Sequence, residues 1–224
     1  GLVPNIVKFT IGGITSSEPY LSDQSIIAAG KLLLLIGETN APERFLLSEG
    51  KNKVKENTEK FEVEEDLIHN IVSELSKSVV KPNSNSNDSR RLSLVVLKTV
   101  ARMKYDEVIK PNLDEIVPNV SSCVRDVIIP IKLAAEKTYL EVFNLVEDEN
   151  LVGYNEWSKK MAEQAGKTVT NSAGATIQMR SIDEYTKRIG SRLAKVERER
   201  IEAGGDVEAM FSDRFEDEKE IWSV

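Results

Sequence analysis

Residues 116–135 constrain the fold more than any other part of the sequence, because two helical patterns are joined there by a short turn. Pro118 lacks a backbone donor and bends the helix in which it lies, whereas Asp126 is suited to accept bonds from turn or N-cap amides. Ala134 and Ala135 allow the second helix to approach its neighbours closely. Since such a hairpin cannot bury both of its faces alone, we expect further hairpins stacked against it.

Two internal similarities support a repeated unit. The triplet Val3-Pro4-Asn5 recurs at Val117-Pro118-Asn119, and an aliphatic residue follows it both times. The triplet that begins at Arg91 lies 41 positions before the similar one that begins at Lys132, which is about one HEAT-repeat length. The sequence therefore predicts an all-α fold, a HEAT-repeat (armadillo-type) superhelical solenoid of stacked antiparallel helix pairs.

Changes in composition and periodicity divide the chain into six parts. Helices are expected at about 2–11, 22–36, 64–80, 89–103, 130–146, 151–164 and 182–203, with Gly12 and Gly13 ending the first and a loop over 166–175. The expected parts are a first or partial HEAT hairpin at 1–36, a charged flexible insertion at 37–62, HEAT hairpins at 63–104 and 105–149, C-terminal helices at 150–205, and an acidic aromatic tail or cap at 206–224.

Composition narrows the class of protein. Apolar residues make up 40% of the chain, enough for a continuous core, and the net charge of −7 argues against general affinity for nucleic-acid phosphates. The apolar runs are far shorter than the ~20 residues that a bilayer requires, so no membrane partner is expected. Cys123 is the only cysteine, so we expect a buried thiol in a reducing compartment. A first residue of Gly1 rather than methionine suggests a fragment of a longer protein.

Residue patterns of enzymes are mostly missing from the sequence. His69 is the only histidine, which excludes a paired-histidine zinc site, and we expect it to have an ordinary structural or surface role. The segment Gly166-Lys-Thr168 resembles part of a P-loop, but Met161 occupies the position of the required first glycine. Carboxylates come in solvated runs such as 62–66. We therefore expect no catalytic residue, metal, cofactor or small-molecule substrate.

Basic residues along the predicted repeats are the first candidate partner-binding site. In HEAT hairpins the second helices line the concave face, so a basic stripe there could bind an acidic partner. Alternatively, Arg91 and Lys132 bond to neighbouring turns, including Asp88 and Asp126, and this is the reading we favour for those two residues. Lys98 and Arg102 are expected on an exposed face. The candidates are Arg90, Arg91, Lys98, Arg102 and Lys132.

Residues 206–224 are the second candidate, because seven acids there surround several large apolar residues. They follow a helix that begins with a capping box at 181–184. One face of this helix is apolar, and the opposite face is rich in Lys and Arg. One reading is a cap that shields the last apolar face of the solenoid. The other is a linear motif in which Phe211, Phe215 and Trp222 anchor a partner.

Several segments resemble one family. The runs 90–102, 130–137, 181–188, 196–206 and 210–218 are similar to the C-terminal HEAT region of the general control non-derepressible translational activators. These are very large scaffolds that help the starvation-responsive initiation-factor kinase to sense stalled ribosomes. The similarity covers nearly the whole chain, and its last 45 residues are the most specific part, because generic HEAT repeats lack that sequence.

The resemblance implies a non-enzymatic scaffold that is cytoplasmic and ribosome-associated. It implies docking of RWD-domain proteins, including the N-terminal RWD domain of the kinase. Through the full-length protein, it also implies association with the ribosome and with an ABC-type partner. The alternative is a generic cargo- or subunit-binding HEAT solenoid of the importin or phosphatase-scaffold kind.

Overall fold

The computed structural model describes residues 2–40, 65–80, 86–102, 109–143, 145, 152–170, 174 and 176–202. Within these residues the chain forms eight α-helices, a 3-10 turn at Lys110–Asn112 and one antiparallel pair of strands. The helices are α1 (Leu2–Ile14), α2 (Pro19–Asn40), α3 (Glu65–Ser78), α4 (Asn87–Arg102), α5 (Leu113–Cys123), α6 (Ile129–Phe143), α7 (Val152–Gln164) and α8 (Ile182–Glu202). The strands are β1 (Thr168–Thr170) and β2 (Thr176–Gln178).

The helices pair and stack in two layers, which confirms the all-α HEAT solenoid. Helices α1 and α2, α3 and α4, and α5 and α6 form three consecutive hairpins. The first helices α1, α3 and α5 pack side by side, and the second helices α2, α4 and α6 form the other layer. Helix α7 packs beside α5 and α8 beside α6, so the last two helices extend the stack as a fourth pair.

One apolar core runs through the stack because each helix repeats its apolar residues at helical spacing. In α3, for example, buried residues recur at positions 67, 68, 71, 72 and 75. Helix α4 differs, since every residue from Leu92 to Ala101 is buried. It is flanked by α2 and α6 within its layer and by α3 across the layers. The central second helix is therefore an interior element over almost three turns.

Helix boundaries follow the local sequence at several points. Pro111 lies in the 3-10 turn that leads into α5, and Pro118 lies within α5, as the sequence predicts. At the start of α8 the Ser181 hydroxyl accepts a bond from the Glu184 amide, and the Glu184 carboxylate accepts one from the Ser181 amide, both at 3.3 Å. These reciprocal bonds confirm the predicted capping box.

Three predictions of local structure were wrong. Gly12 and Gly13 do not end the first helix, because α1 continues through both of them. Helix α2 extends four residues beyond position 36, to Asn40. The expected loop at 166–175 contains β1, which pairs with β2, and the positive φ angles of Gly166 and Gly174 supply backbone conformations that other residues rarely adopt. Each strand has only three residues, too few for a sequence pattern to identify. Most of the predicted insertion at 37–62 lies outside the described residues.

Gly13 is required by the close approach of α1 and α2. A Cβ atom built at Gly13 would lie only 2.8 Å from the Cβ of Ser25 in α2, whereas one at Gly12 meets nothing within 4 Å. We expect Gly13→Ala to lower the free energy of unfolding by about 1–3 kcal/mol through overpacking. Gly12→Ala, the matched control, should raise it by up to about 1 kcal/mol through helix propensity. Urea denaturation of both variants measures the difference, and equal effects would contradict this account.

Candidate docking surface at the turn edge

A buried carboxylate joins the second hairpin to the third. Asp126, in the turn between α5 and α6, accepts a 2.6 Å bond from Nη2 of Arg90 and a 3.0 Å bond from the backbone amide of Ile128. The Nε of Arg90 donates to the carbonyl of Val79, at the end of α3, over 3.0 Å. We call Arg90, Asp126 and Val79 the hairpin junction. It fixes the start of α4 against the turn of the next hairpin.

Cys123 adds a further bond to the junction. Its Sγ donates to the carbonyl of Val79 over 3.0 Å, and Nη2 of Arg90 lies 3.7 Å from the same sulfur. Burial raises the pKa of the Cys123 thiol above its ordinary value, although the neighbouring Arg90 charge opposes this. The thiol therefore stays protonated and acts as a buried donor, which agrees with the core role predicted from the sequence.

The junction combines two charges that water hardly reaches. The side chains of Arg90 and Asp126 are 3% and 10% exposed, so neither charge is hydrated as it is in the unfolded chain. A buried pair of this kind contributes little net stability, but loss of one member leaves the other charge uncompensated. The pair therefore acts mainly on geometry, because it penalises any other alignment of the two hairpins.

Further polar bonds connect adjacent hairpins in both layers. In the first-helix layer, the Asn119 amide donates to the Ser76 hydroxyl over 2.9 Å, and the Ser73 hydroxyl donates to Glu115 over 2.7 Å. In the second-helix layer, Thr138 of α6 donates to the carbonyl of Leu94 in α4 over 2.9 Å. These bonds reinforce the stacking that the apolar core provides.

The turn that contains Asp126 continues into an exposed apolar stretch. Val127, Ile129 and Leu133, in the turn and the first turns of α6, are 52%, 69% and 37% exposed. Lys132 lies among them and Arg91 occupies the first turns of α4, and both side chains are half-buried. We call Arg91, Val127, Ile129, Lys132 and Leu133 the turn-edge surface. Its members come from two hairpins that the junction holds together.

The basic candidates from the sequence divide into two groups. Arg90 and Lys98 are only 2% and 3% exposed, so the expectation that Lys98 lies on an exposed face was wrong, and neither residue is available to a partner. Lys98 is buried because α4 is enclosed by its neighbours over that whole stretch. Arg91 and Lys132 reach the surface. Arg90, one residue before Arg91, pairs with Asp126, a bond that the sequence reading did not assign to it.

The remaining candidates lie outside the residues whose side chains the structure describes. They are Arg102, Phe211, Phe215 and Trp222. His69 has a structural contact, since its Nδ1 lies 3.4 Å from the side-chain amide of Asn112. Within the described residues, no group of three His, Cys, Asp or Glu side chains is placed to hold a metal. None of the described helices combines the length and the apolar character needed to cross a bilayer.

Sequence reasoning missed the apolar members of the turn-edge surface. The signal was present, because Val127, Ile128 and Ile129 are three consecutive aliphatic residues between Asp126 and Pro130. A turn followed by a helix can direct only part of such a run into the core. Ile128 is half-buried against the core, whereas its two neighbours point outwards.

Two layers of helix pairs, a continuous core and a mixed basic and apolar edge define a HEAT-type helical solenoid with a potential docking surface. A profile of the family described as "GCN1-like, C-terminal HEAT repeats" matches residues 23–154. The chain belongs to this family.

Sequence comparison identifies a long relative. The chain is 50% identical, over all 224 of its residues, to the protein named "eIF-2-alpha kinase activator GCN1" from Saccharomyces cerevisiae. It spans 8% of the length of that relative. No solved structure matches the chain.

Removal of the junction carboxylate should be costly. We expect Asp126→Ala to lower the free energy of unfolding by about 3–5 kcal/mol, because it leaves the Arg90 charge buried and unpaired. The control is Lys77→Ala at the exposed Lys77–Glu74 pair, for which we expect less than about 1 kcal/mol. Urea denaturation gives both values. A double variant with Arg90→Met should recover part of the loss, and absence of any recovery would argue against the uncompensated charge as its cause.

Cys123 should be protected from thiol reagents in the folded chain. Its raised pKa and burial both lower the reactive thiolate fraction, so we expect alkylation at pH 8 to be at least tenfold slower than in urea-unfolded chain. Because the folded pKa is the higher one, the folded state holds the proton more tightly. The stability from this group is therefore complete below the unfolded pKa and is lost as the pH rises through the folded pKa. Mass spectrometry of timed aliquots measures the rate, and equal rates would contradict the burial of the thiol.

Proposed function

We propose that the chain is a non-catalytic docking part of an activator of the kinase that phosphorylates initiation factor 2α. Membership of the GCN1-like family supports this, as does the 50% identity to a relative whose name describes kinase activation. Because the chain spans 8% of that relative, we assign it one contribution to the activity, the presentation of a partner-binding surface. The observation that carries the proposal is the turn-edge surface above the hairpin junction.

The proposed mechanism is binding through a pre-organised surface. The junction fixes the relative position of α4 and the turn before α6, so the turn-edge surface needs little ordering when a partner binds. Ile129 and Leu133 provide exposed apolar anchors, and Arg91 and Lys132 favour a partner with acidic residues around an apolar centre. Buried Arg90 and Lys98 are not part of this surface.

The proposed partners are RWD-domain proteins, including the N-terminal RWD domain of the kinase. Association with ribosomes and with an ABC-type partner, in the cytoplasm, belongs in this proposal to the longer protein. A generic importin-like or phosphatase-scaffold solenoid is the alternative, and family membership favours the kinase activator. Arg102, Phe211, Phe215 and Trp222 remain candidate contacts outside the described side chains.

Binding to an isolated RWD domain of the kinase tests the proposal. We expect the double variant Ile129→Asp and Leu133→Asp to weaken binding by about 30-fold, which corresponds to about 2 kcal/mol. An aspartate at position 129 lies in the first turn of α6, where a negative charge is favourable, and both replaced side chains are exposed, so the variant should remain folded. Isothermal titration calorimetry gives the affinity and circular dichroism checks the fold.

The matched control is Phe9→Asp, an exposed apolar residue of α1 that is 72% exposed and lies outside the turn-edge surface. It should leave the affinity unchanged. Equal losses in both variants would show non-specific apolar binding, and an unchanged affinity of the Ile129 and Leu133 variant would exclude the turn-edge surface. If the unaltered chain does not bind the RWD domain, the proposed partner is wrong.

A further inference from the structure

The connection between α7 and α8 differs from the other connections between paired helices. The chain passes from α1 to α2 in residues 15–18 and from α5 to α6 in residues 124–128, whereas residues 165–181 separate α7 from α8. Connections of about two to eight residues are usual between packed helices, and much longer ones often serve a function. Among the described residues, this connection contains the only strands, and we call residues 167–179 the β-hairpin.

A bulge at the base of the β-hairpin fixes its pairing. The amide of Gly166 donates to the carbonyl of Met179, and the amide of Met179 donates to the carbonyl of Lys167, both over 2.8 Å. Two residues on one side thus oppose one on the other, and Gly166 has the positive φ angle, 80°, that this kind of bulge requires. The backbone amide and carbonyl of Met179 therefore both point inwards, towards β1.

Alternation from Met179 determines which backbone groups point away from the β-hairpin. In an antiparallel pair the bonded positions recur at every second residue, so the next bonded pair in the register is Val169 with Ile177. The positions between and beyond them direct their amide and carbonyl groups away from the partner strand. These outward positions are Thr168 and Thr170 in β1, and Thr176 and Gln178 in β2.

The two outer edges differ in how open they are. The edge of β1 ends at the bulge and at α7, where the Lys167 amide donates to the carbonyl of Gln164 over 3.0 Å. Bulges of this kind hinder the pairing of a further strand. Residues 176–180 contain neither a bulge nor a proline, and the side chains of Thr176, Gln178 and Arg180 are exposed. We call residues 176–180 the β2 edge, and it is the open edge of the β-hairpin.

The β-hairpin is anchored beside the turn-edge surface. The side chain of Met179 lies on the opposite face of β2 from that of Gln178, is only 5% exposed, and has its sulfur 2.7 Å from Nη1 of Arg125. Arg125 directly precedes Asp126 of the hairpin junction and lies two residues before Val127 of the turn-edge surface. A partner on the turn-edge surface is therefore close to the β-hairpin.

We propose that the β2 edge binds an extended segment of the partner that docks on the turn-edge surface, and that this segment adds a third strand. Outward amide and carbonyl groups in a row are complementary to one class of ligand, a backbone in the extended conformation. Two strands of three residues are marginally stable alone, so the added strand also stabilises the β-hairpin. This inference rests on the proposed function, because it gives the same partner a second contact.

The side chains of the β2 edge define the chemistry of the added segment. Thr176 and Gln178 are uncharged, and β-branched or aromatic residues pair well with such positions. Arg180 favours an acidic residue opposite it. Because the exposed acids Asp183 and Glu184 follow in the first turn of α8, we assign a charge preference to the position opposite Arg180 alone.

Amide hydrogen exchange tests the proposal on the full chain, with the isolated RWD domain of the kinase as the probe. Nuclear magnetic resonance of the isotopically labelled chain gives the exchange rate of each amide with and without saturating RWD domain. We expect the amides of Thr176 and Gln178 to exchange at least about tenfold more slowly in the complex, because they donate to the added strand. The outward amides of Thr168 and Thr170, on the other edge, are the internal control and should not change.

Proline substitution identifies the edge through affinity. Gln178→Pro removes an outward amide of the β2 edge and should weaken binding of the RWD domain about fivefold, the contribution of one hydrogen bond. Thr168→Pro removes the amide that lies opposite on the β1 edge and should leave the affinity unchanged. Both variants place proline at an outward position of the same register pair, so the difference between them reports on the edge. Isothermal titration calorimetry measures both affinities.

Four results would overturn the inference. If the RWD domain binds but exchange at Thr176 and Gln178 is unchanged, or the two proline variants bind equally, the β2 edge is not used and the turn-edge docking still stands. Equal slowing at both edges would show a stiffer β-hairpin without an added strand. Slowing that increases with chain concentration, without RWD domain, would identify a second copy as the occupant. No binding by the unaltered chain would overturn the proposed function and this inference with it.

Discussion

The alignment of the hairpins depends on the carboxylate of Asp126, which is used twice. One oxygen accepts the amide of Ile128 within its own turn, and the other accepts the guanidinium of Arg90 from the preceding hairpin. Apolar packing alone tolerates small displacements between stacked helices, because dispersion and burial are non-directional. A buried charge pair with defined geometry does not tolerate them. The bond therefore fixes the start of α4 relative to the turn before α6.

The turn-edge surface follows from that alignment. Because every residue of α4 from 92 to 101 is buried, this helix contributes almost nothing to the described surface of the second-helix layer. The exposed apolar side chains lie instead in the turn before α6. There the Ile128 amide is bonded to Asp126, Ile128 faces the core, and Val127 and Ile129 face solvent. The exposed turn-edge surface thus depends on the same interaction that aligns the hairpins. The Arg90–Asp126 pair therefore affects both the alignment of the hairpins and the composition of the turn-edge surface.

Local sequence patterns predicted a structural feature correctly where all the residues that produce it lie in one short segment. The capping box at Ser181 and the amide-accepting role of Asp126 both depend on neighbours within four residues. The predicted helix end at Gly12 and Gly13 was wrong, because a pair of glycines is locally typical of a helix end. The contact that requires Gly13, with Ser25 of α2, is formed only after the hairpin closes.

The sequence by itself determined the class of the protein. Its apolar residues recur at helical spacing and its helices repeat after about 41 positions, and helices of this kind bury both of their faces by stacking in a solenoid. It did not determine which basic residues reach solvent. Arg90 and Arg91 are adjacent in sequence and similar in chemistry, yet one is buried in an ion pair and the other is only half-buried. Helix rotation against three neighbours decides this, and Asp126, 36 residues away in the sequence, holds the guanidinium of Arg90 in the interior. Tertiary structure alone therefore decided which residues form the turn-edge surface, because exposure is a property of the packed stack and not of any single helix.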